Sequence, residues 1–260
     1  FLLHLIQLST LFKILPQIVK WAFLKDDKKY LYMQKVAYQN AARNSTYDSK
    51  NKDDFVVGSY EEQNKWEDYD KYLMKYIDST FQEKVALDFG CGPGRNIVKY
   101  NKWFKQIDGC DISKNNINNA KTNLNYHKIP LPDLYVTNGD DLGTEHENYY
   151  DFIFSSIAMQ HICVYDIRFS ILTKMYKSLK KDGRISIQMG YGKAKKNSVG
   201  YYENDFNAIG SNGSKDTRIE DPNEIKKDLE NIGFKQFEHW IRPVGPGDDH
   251  SNWIFFTASK

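Results

Sequence analysis

Apolar and polar positions along this chain switch repeatedly between the short period of strands and the longer period of helices. Val85-Ala86-Leu87-Asp88-Phe89 is a nearly continuous apolar run, as expected of a strand covered on both faces. It breaks at Gly90-Cys91-Gly92-Pro93-Gly94, and Arg95-Asn96 lead into an apolar helical stretch from Ile97 to Phe104. Further strand-like runs follow at Ile107 to Ser113, Leu134 to Leu142, Tyr150 to Ser155 and Arg184 to Met189. Between the last two, Ile171, Leu172, Met175, Tyr176 and Leu179 have helical spacing, and Lys180-Lys181-Asp182-Gly183 supplies cations and a glycine to end that helix. Trp66, Tyr69, Tyr72, Leu73, Tyr76 and Ile77 predict a helix just before the first strand. Asp221-Pro222 opens a capped helix running to Gly233, and Phe234 to Ile241 and Trp253 to Ala258 read as the last two strands. Alternating strands and helices predict an α/β domain around a parallel sheet.

The turn after the first strand carries the chemistry. Gly90, Gly92 and Gly94 remove side chains where the backbone turns, so a ligand can lie on the main chain, facing the N–H groups of the next helix. A dinucleotide fingerprint needs the order G-x-G-x-x-G, but Arg95 stands at its last glycine. That weakens an NAD-dependent oxidoreductase reading. Asp88, inside the strand, disfavours a pyrophosphate and favours a ligand with an ammonium group. The run resembles the first motif of class I S-adenosylmethionine (SAM) dependent methyltransferases. The resemblance implies that Asp88, Gly90, Cys91, Gly92, Gly94 and Arg95 cradle the methionine end of the cofactor.

Three companions follow in the order that the resemblance requires. Ile107-Asp108-Gly109-Cys110-Asp111-Ile112-Ser113 ends a strand in a carboxylate, with Ser113 placed to cap the next helix. An isolated Asp111 would read as a loop or cap residue. One helix and one strand beyond a glycine loop, it is placed to accept both ribose hydroxyls, with Ile112 beside it. Thr137-Asn138-Gly139-Asp140 resembles the adenine-edge motif, and either Asn138 or Asp140 is the candidate for the adenine amino group, beside Gly139. Asp151 and the strand ending at Ser155-Ser156 resemble the central fourth strand, whose following loop lies under the transferable methyl group.

The expected architecture is a three-layer Rossmann-like sandwich with a seven-stranded, mostly parallel sheet whose last strand is antiparallel, plus N-terminal helices. Residues 1–78 form an N-terminal helical segment, a candidate lid or surface anchor. Residues 79–260 form the SAM-binding domain, with a lid insertion at 190–221 where periodicity is lacking. Acceptor specificity is expected from that insertion, from the loop Arg242 to Ser251 and from the N-terminal helices. His161, just after the fourth strand, is the first candidate for a general base. His250 is the second, because carboxylates at Asp248 and Asp249 would raise its basicity. The function expected is methyl transfer to an oxygen or nitrogen of a small molecule, sugar or natural product. The alternative is a non-catalytic SAM-binding subunit of a methyltransferase complex.

Composition narrows this reading without changing it. With 36 Lys and Arg against 34 Asp and Glu, no nucleic-acid partner is expected. Cys91, Cys110 and Cys163 have no metal-ligand spacing, so no metal is expected and free thiols point to a reducing, cytoplasmic setting. The opening Phe1 points to a fragment or processed form. Residues 1–24 are strongly apolar, but His4, Lys13, Pro16 and Lys20 interrupt them. They read first as core-packed or amphipathic helices, then as a peripheral membrane contact, and last as a span.

Overall fold

The computed structural model describes residues 23–42, 69–193, 198–209, 215–244 and 250–260. In chain order the helices are α1 (Asp26–Ala41), α2 (Asp70–Leu73), α3 (Arg95–Tyr100), α4 (Lys114–Tyr126), α5 (Tyr165–Ser178) and α6 (Pro222–Ile232). The strands are β1 (Val85–Phe89), β2 (Gln106–Asp111), β3 (Leu134–Val136), β4 (Tyr150–Ser155), β5 (Ile162–Val164), β6 (Leu179–Tyr191), β7 (Ser198–Gly200), β8 (Asn204–Ile209), β9 (Asp216–Ile219), β10 (Lys235–Pro243) and β11 (Asn252–Ser259). The main sheet runs β10-β11-β6-β4-β1-β2-β3. Only β11 opposes its neighbours along this path, pairing antiparallel with β6 and β10. This is the expected Rossmann-like sandwich.

Period-two alternation divides the core between the two faces of the sheet. Leu87, Phe89, Ile153, Ile185, Ile187 and Ile254 face α5 and α6. Ala86, Ile107, Phe152, Phe154, Trp253 and Phe255 face the other way, toward α2, α3 and α4. Both faces being buried explains the continuous apolar runs. The helices start where the sequence signals them. Ser113 Oγ accepts the Asn116 N–H at 3.2 Å, and Asp221 and Glu224 form a capping box around Pro222.

Several boundaries differ from the sequence reading. The helix predicted to end at Lys180–Gly183 stops at Ser178, and those four residues belong to β6. Lys180 pairs with Asp151 on β4 at 2.8 Å, Asp182 adopts a φ of +64°, and the Gly183 carbonyl accepts the N–H of Lys260. The helix predicted to reach Phe104 ends at Tyr100, where Asn101 turns its side chain back onto the Val98 carbonyl. Trp66 lies outside the described residues, and from Tyr69 to Ile77 only Asp70–Leu73 is α-helical. The carboxylate of Asp70 is taken up by Lys99 and Tyr100 on α3. The insertion at 190–221 is not structureless: β7 and β9 extend the sheet beside β6, while β8 pairs with β5. Residues 1–22 and 43–68, including most of the apolar N-terminus, lie outside the described residues. No described helix is long and apolar enough to cross a membrane.

Helix α1 lies across the edge formed by the carboxyl ends of the strands. Tyr30 Oη accepts the backbone N–H of Cys163 at 2.8 Å. Gln34 Nε2 donates to Tyr30 Oη at 2.6 Å and to the His161 carbonyl at 2.8 Å. At the far end of α1, Gln39 and Ala42 accept hydrogen bonds from Asn115 and Asn119 of α4. The substitution Tyr30→Phe would orphan the buried Cys163 N–H, which costs about 1–3 kcal/mol. Hydrogen exchange should then accelerate in α1 and β5 before the central strands. Unchanged protection in α1 would contradict this anchoring.

Candidate functional site

The site begins at the loop after β1. Gly90 and Cys91 both donate their N–H groups to the Cys110 carbonyl, at 2.8 and 3.0 Å, which pins the loop to β2. Gly90, Gly92 and Gly94 hold φ of +74°, +53° and +84°. A Cβ on Gly90 would stand 2.3 Å from that of Ala158, so the loop can close only without a side chain there. The Asp111 carboxylate accepts the Gly92 and Ser113 N–H groups, at 3.0 and 2.8 Å, and Asn116 Nδ2 at 3.2 Å. Burial raises its pKa against these three bonds.

A cavity of about 350 Å³ opens over this edge. Its walls include Gly90, Cys91, Gly92, Arg95, Asp111, Ile112, Gly139, Ser156 and His161 from the sequence-based set. The other candidates are placed elsewhere. Asn138 is tied to Asp141 at 2.6 Å, and Asp140 faces Lys28 at 3.5 Å, so neither reaches the wall; Thr137 and Gly139 hold that edge. Ser155 donates to the Phe89 carbonyl at 2.9 Å, and Gly94 packs toward Ala120 of α4. Asp88 lies under the loop, fully buried, beside the side chain of Asn96.

The two histidines differ. His161 sits on a short 3₁₀ turn, Met159–His161, with its ring on the cavity wall. Its Nδ1 meets Asp216 Oδ1 at 2.7 Å. His250 is buried and does not line the cavity, which removes it as a candidate base. Its Nε2 meets Asp216 Oδ2 at 2.9 Å. Asp248 and Asp249 lie outside the described residues, and the carboxylate beside His250 is Asp216. A Cβ on Gly190 would stand 2.5 Å from the His250 ring, so that glycine makes the room for it. Burial pushes the Asp216 pKa up, but hydrogen bonds from His161 and His250 outweigh it and hold the carboxyl well below the usual range. Gln160 also donates to Asp216, at 3.2 Å, and is held by Gln188 at 2.8 Å. Gln188 in turn accepts the N–H of Ile157, a β-branched residue at φ +52° on the cavity wall.

Sequence reasoning missed Asp216 as well as Leu31, Gln34 and Tyr38, which α1 presents to the cavity. The i, i+4, i+8 spacing of Tyr30, Gln34 and Tyr38 was the available signal for the helix face. A lone aspartate in a polar stretch gave none for Asp216.

Residues 87–187 match the family described as "Methyltransferase domain". Residues 87–187 form a methyltransferase domain. No curated protein matches the chain in sequence. Among solved structures, it is similar to Haemonchus contortus phosphoethanolamine N-methyltransferase 2, bound to phosphomonomethylethanolamine and S-adenosylhomocysteine. There the TM-score is 0.52 and the identity 19%, over 72% of this chain and 51% of that one, so it spans about half of that enzyme. A putative SAM-dependent methyltransferase from Listeria monocytogenes gives 0.51 and 18%, over 76% of this chain and 98% of that one. Geranyl diphosphate C-methyltransferase from Streptomyces coelicolor, bound to S-adenosylhomocysteine, gives 0.51 and 13%, over 72% and 73%. At these identities the likeness is one of fold. The lining of the cavity suits SAM: bare glycine backbone after β1, and at Asp111 an acceptor for hydroxyl donors.

Asp88 makes a testable contribution. Burial pushes its pKa up to about 7, against the side chain of Asn96 and the charge of Arg95, with Asp111 adding to the rise. Between about pH 4 and pH 7 the folded chain therefore holds a proton that the unfolded chain has released, and stability falls as pH rises through that window. Asp88→Asn should match wild type near pH 4 and exceed it above pH 7, by up to about 4 kcal/mol. Urea unfolding of both proteins across that range checks this. A difference independent of pH would contradict it.

Proposed function

We propose that this methyltransferase passes the methyl group of SAM to an O–H or N–H of a small molecule, a sugar or a natural product, with His161 as the base. The observation that carries this reading is the His161 ring, held on the cavity wall by the ionised Asp216. When bound, SAM supplies an electrophilic methyl on a sulfonium. A bond from the acceptor forms to that carbon as the carbon–sulfur bond breaks, and the electron pair stays on sulfur. The protein's part is to hold the reactants in line, exclude water and receive a proton. Asp111 would take the ribose hydroxyls, and Gly90 to Gly92 the methionine portion. Asp216 fixes Nδ1, which leaves His161 Nε2, unbonded among the described residues, to accept the acceptor's proton. Three buried, unpaired cysteines fit a reducing, cytoplasmic setting.

Asp111→Ala should weaken SAM binding by roughly 10- to 150-fold, the effect of losing a charged hydrogen-bonding partner worth about 1.5–3 kcal/mol. His161→Ala should lower turnover by about 10²- to 10⁴-fold while leaving SAM affinity intact. Labelled SAM with pooled metabolites finds the acceptor, and titration with SAM separates binding from turnover. Near-native turnover in His161→Ala would remove the base. Tight SAM binding without any labelled product would favour a non-catalytic subunit.

A further inference from the structure

The outward face of α1 is apolar, although its inward face already packs on the domain. Tyr30, Leu31 and Gln34 are buried on the inward side, and Leu31 and Gln34 line the cavity. On the other side Tyr32, Met33 and Val36 stand exposed, at 55%, 42% and 37%. The spacing from Lys25 through Lys28 and Lys29 to Tyr32 and Val36 follows the helix repeat, so lysines and apolar side chains share one stripe. Phe23, in the turn that leads into α1, is 85% exposed. Ten large apolar side chains are exposed among the described residues, and four of them fall between Phe23 and Val36. Such residues scattered singly are ordinary, but a cluster marks a surface that meets a partner.

Charge decides between partners. Residues 1–43 hold 7 Lys and Arg against 2 Asp and no Glu, whereas the rest of the chain holds 29 Lys and Arg against 32 Asp and Glu. A chain of near-zero net charge thus concentrates its positive charge around α1. Lys28 and Lys29 keep only long ion pairs, with Asp140 at 3.5 Å and Asp26 at 3.7 Å, and the Lys28 side chain remains exposed. The segment that enters α1, residues 1–22, is strongly apolar in sequence and adds Lys13 and Lys20. A second copy of the chain would bring two such basic segments face to face, which their like charge opposes. RNA would pair the lysines and leave Met33, Val36 and the apolar segment in water. An anionic bilayer satisfies both, with lysines at the headgroups and apolar side chains at the acyl boundary. We propose that the outward face of α1, with the apolar segment that leads into it, docks on an anionic lipid bilayer. The helix that covers the cavity is then also the element that holds the protein to the membrane surface.

The test is sedimentation of the full chain with vesicles of phosphatidylcholine, alone or mixed with phosphatidylserine. Binding should require phosphatidylserine and weaken as salt rises. Lys25→Ala combined with Lys28→Ala should weaken it by about 10- to 30-fold, since each lysine near an anionic surface contributes about fivefold. Tyr32→Ser combined with Met33→Ser and Val36→Ser should weaken it by at least about tenfold. Both variants should melt near the wild-type temperature, because these side chains stand at the surface, so lost binding is not lost fold. No binding to the mixed vesicles overturns the inference, and so does equal binding to phosphatidylcholine alone. Binding that either variant leaves intact overturns it as well, because the contact then lies elsewhere. Dimers in light scattering that the same substitutions abolish, or tighter binding to tRNA than to the mixed vesicles, would assign this face to another partner and overturn it too.

Discussion

The paired hydrogen bonds from Gly90 and Cys91 to the Cys110 carbonyl fix the one place where this backbone can meet a ligand. β1 pairs in parallel with β2 on one side and β4 on the other, and the chain leaves β1 toward β2 and β3 before returning to β4 and β6. Connections that diverge on either side of β1 leave a crevice at the carboxyl ends of the strands. The glycine loop is the floor of that crevice. Because it is pinned to the end of β2, Asp111 is brought under the Gly92 N–H, and ribose-binding and backbone-binding groups share one frame.

The rest of the site is assembled from segments far apart in the chain. Helix α1 brings Tyr30, Gln34 and Tyr38 over the crevice, β9 brings Asp216, and the loop before β11 brings His250. These parts meet at His161: its carbonyl holds α1 and its ring holds Asp216. One short turn after β4 therefore couples the covering helix to the proposed base. The strained Ile157, whose N–H is tied to Gln188, belongs to the same turn. Strain at such a position is sustained only where neighbouring contacts over-determine it, which the Gln188–Gln160–Asp216 chain does.

What could be read from the sequence was local. Glycines at the β1 turn, Asp111 after one further helix and strand, Ser113 and Asp221 as caps, and His161 after β4 each carry their signal within a few residues. The misplacements came from long-range contacts. Lys180–Gly183 has the composition of a helix end, but pairing with β4 and the docking of Lys260 draw it into β6. Asn138 and Asp140 have the chemistry for an adenine edge, yet Asp141 and Lys28 take their side chains away. His250 sits beside two acidic residues in sequence, but the carboxylate that it meets lies 34 residues earlier. Asp216 had no local signal because its role exists only once β9, β11 and the turn after β4 are in place.

The crevice above Gly90 and Asp111 suits SAM and not a dinucleotide. Isothermal titration of the purified chain with SAM, S-adenosylhomocysteine and NAD tests it most directly. Saturable one-to-one binding of the first two is expected, with no heat of binding from NAD. Binding of NAD, or no binding of either sulfur ligand, would contradict it.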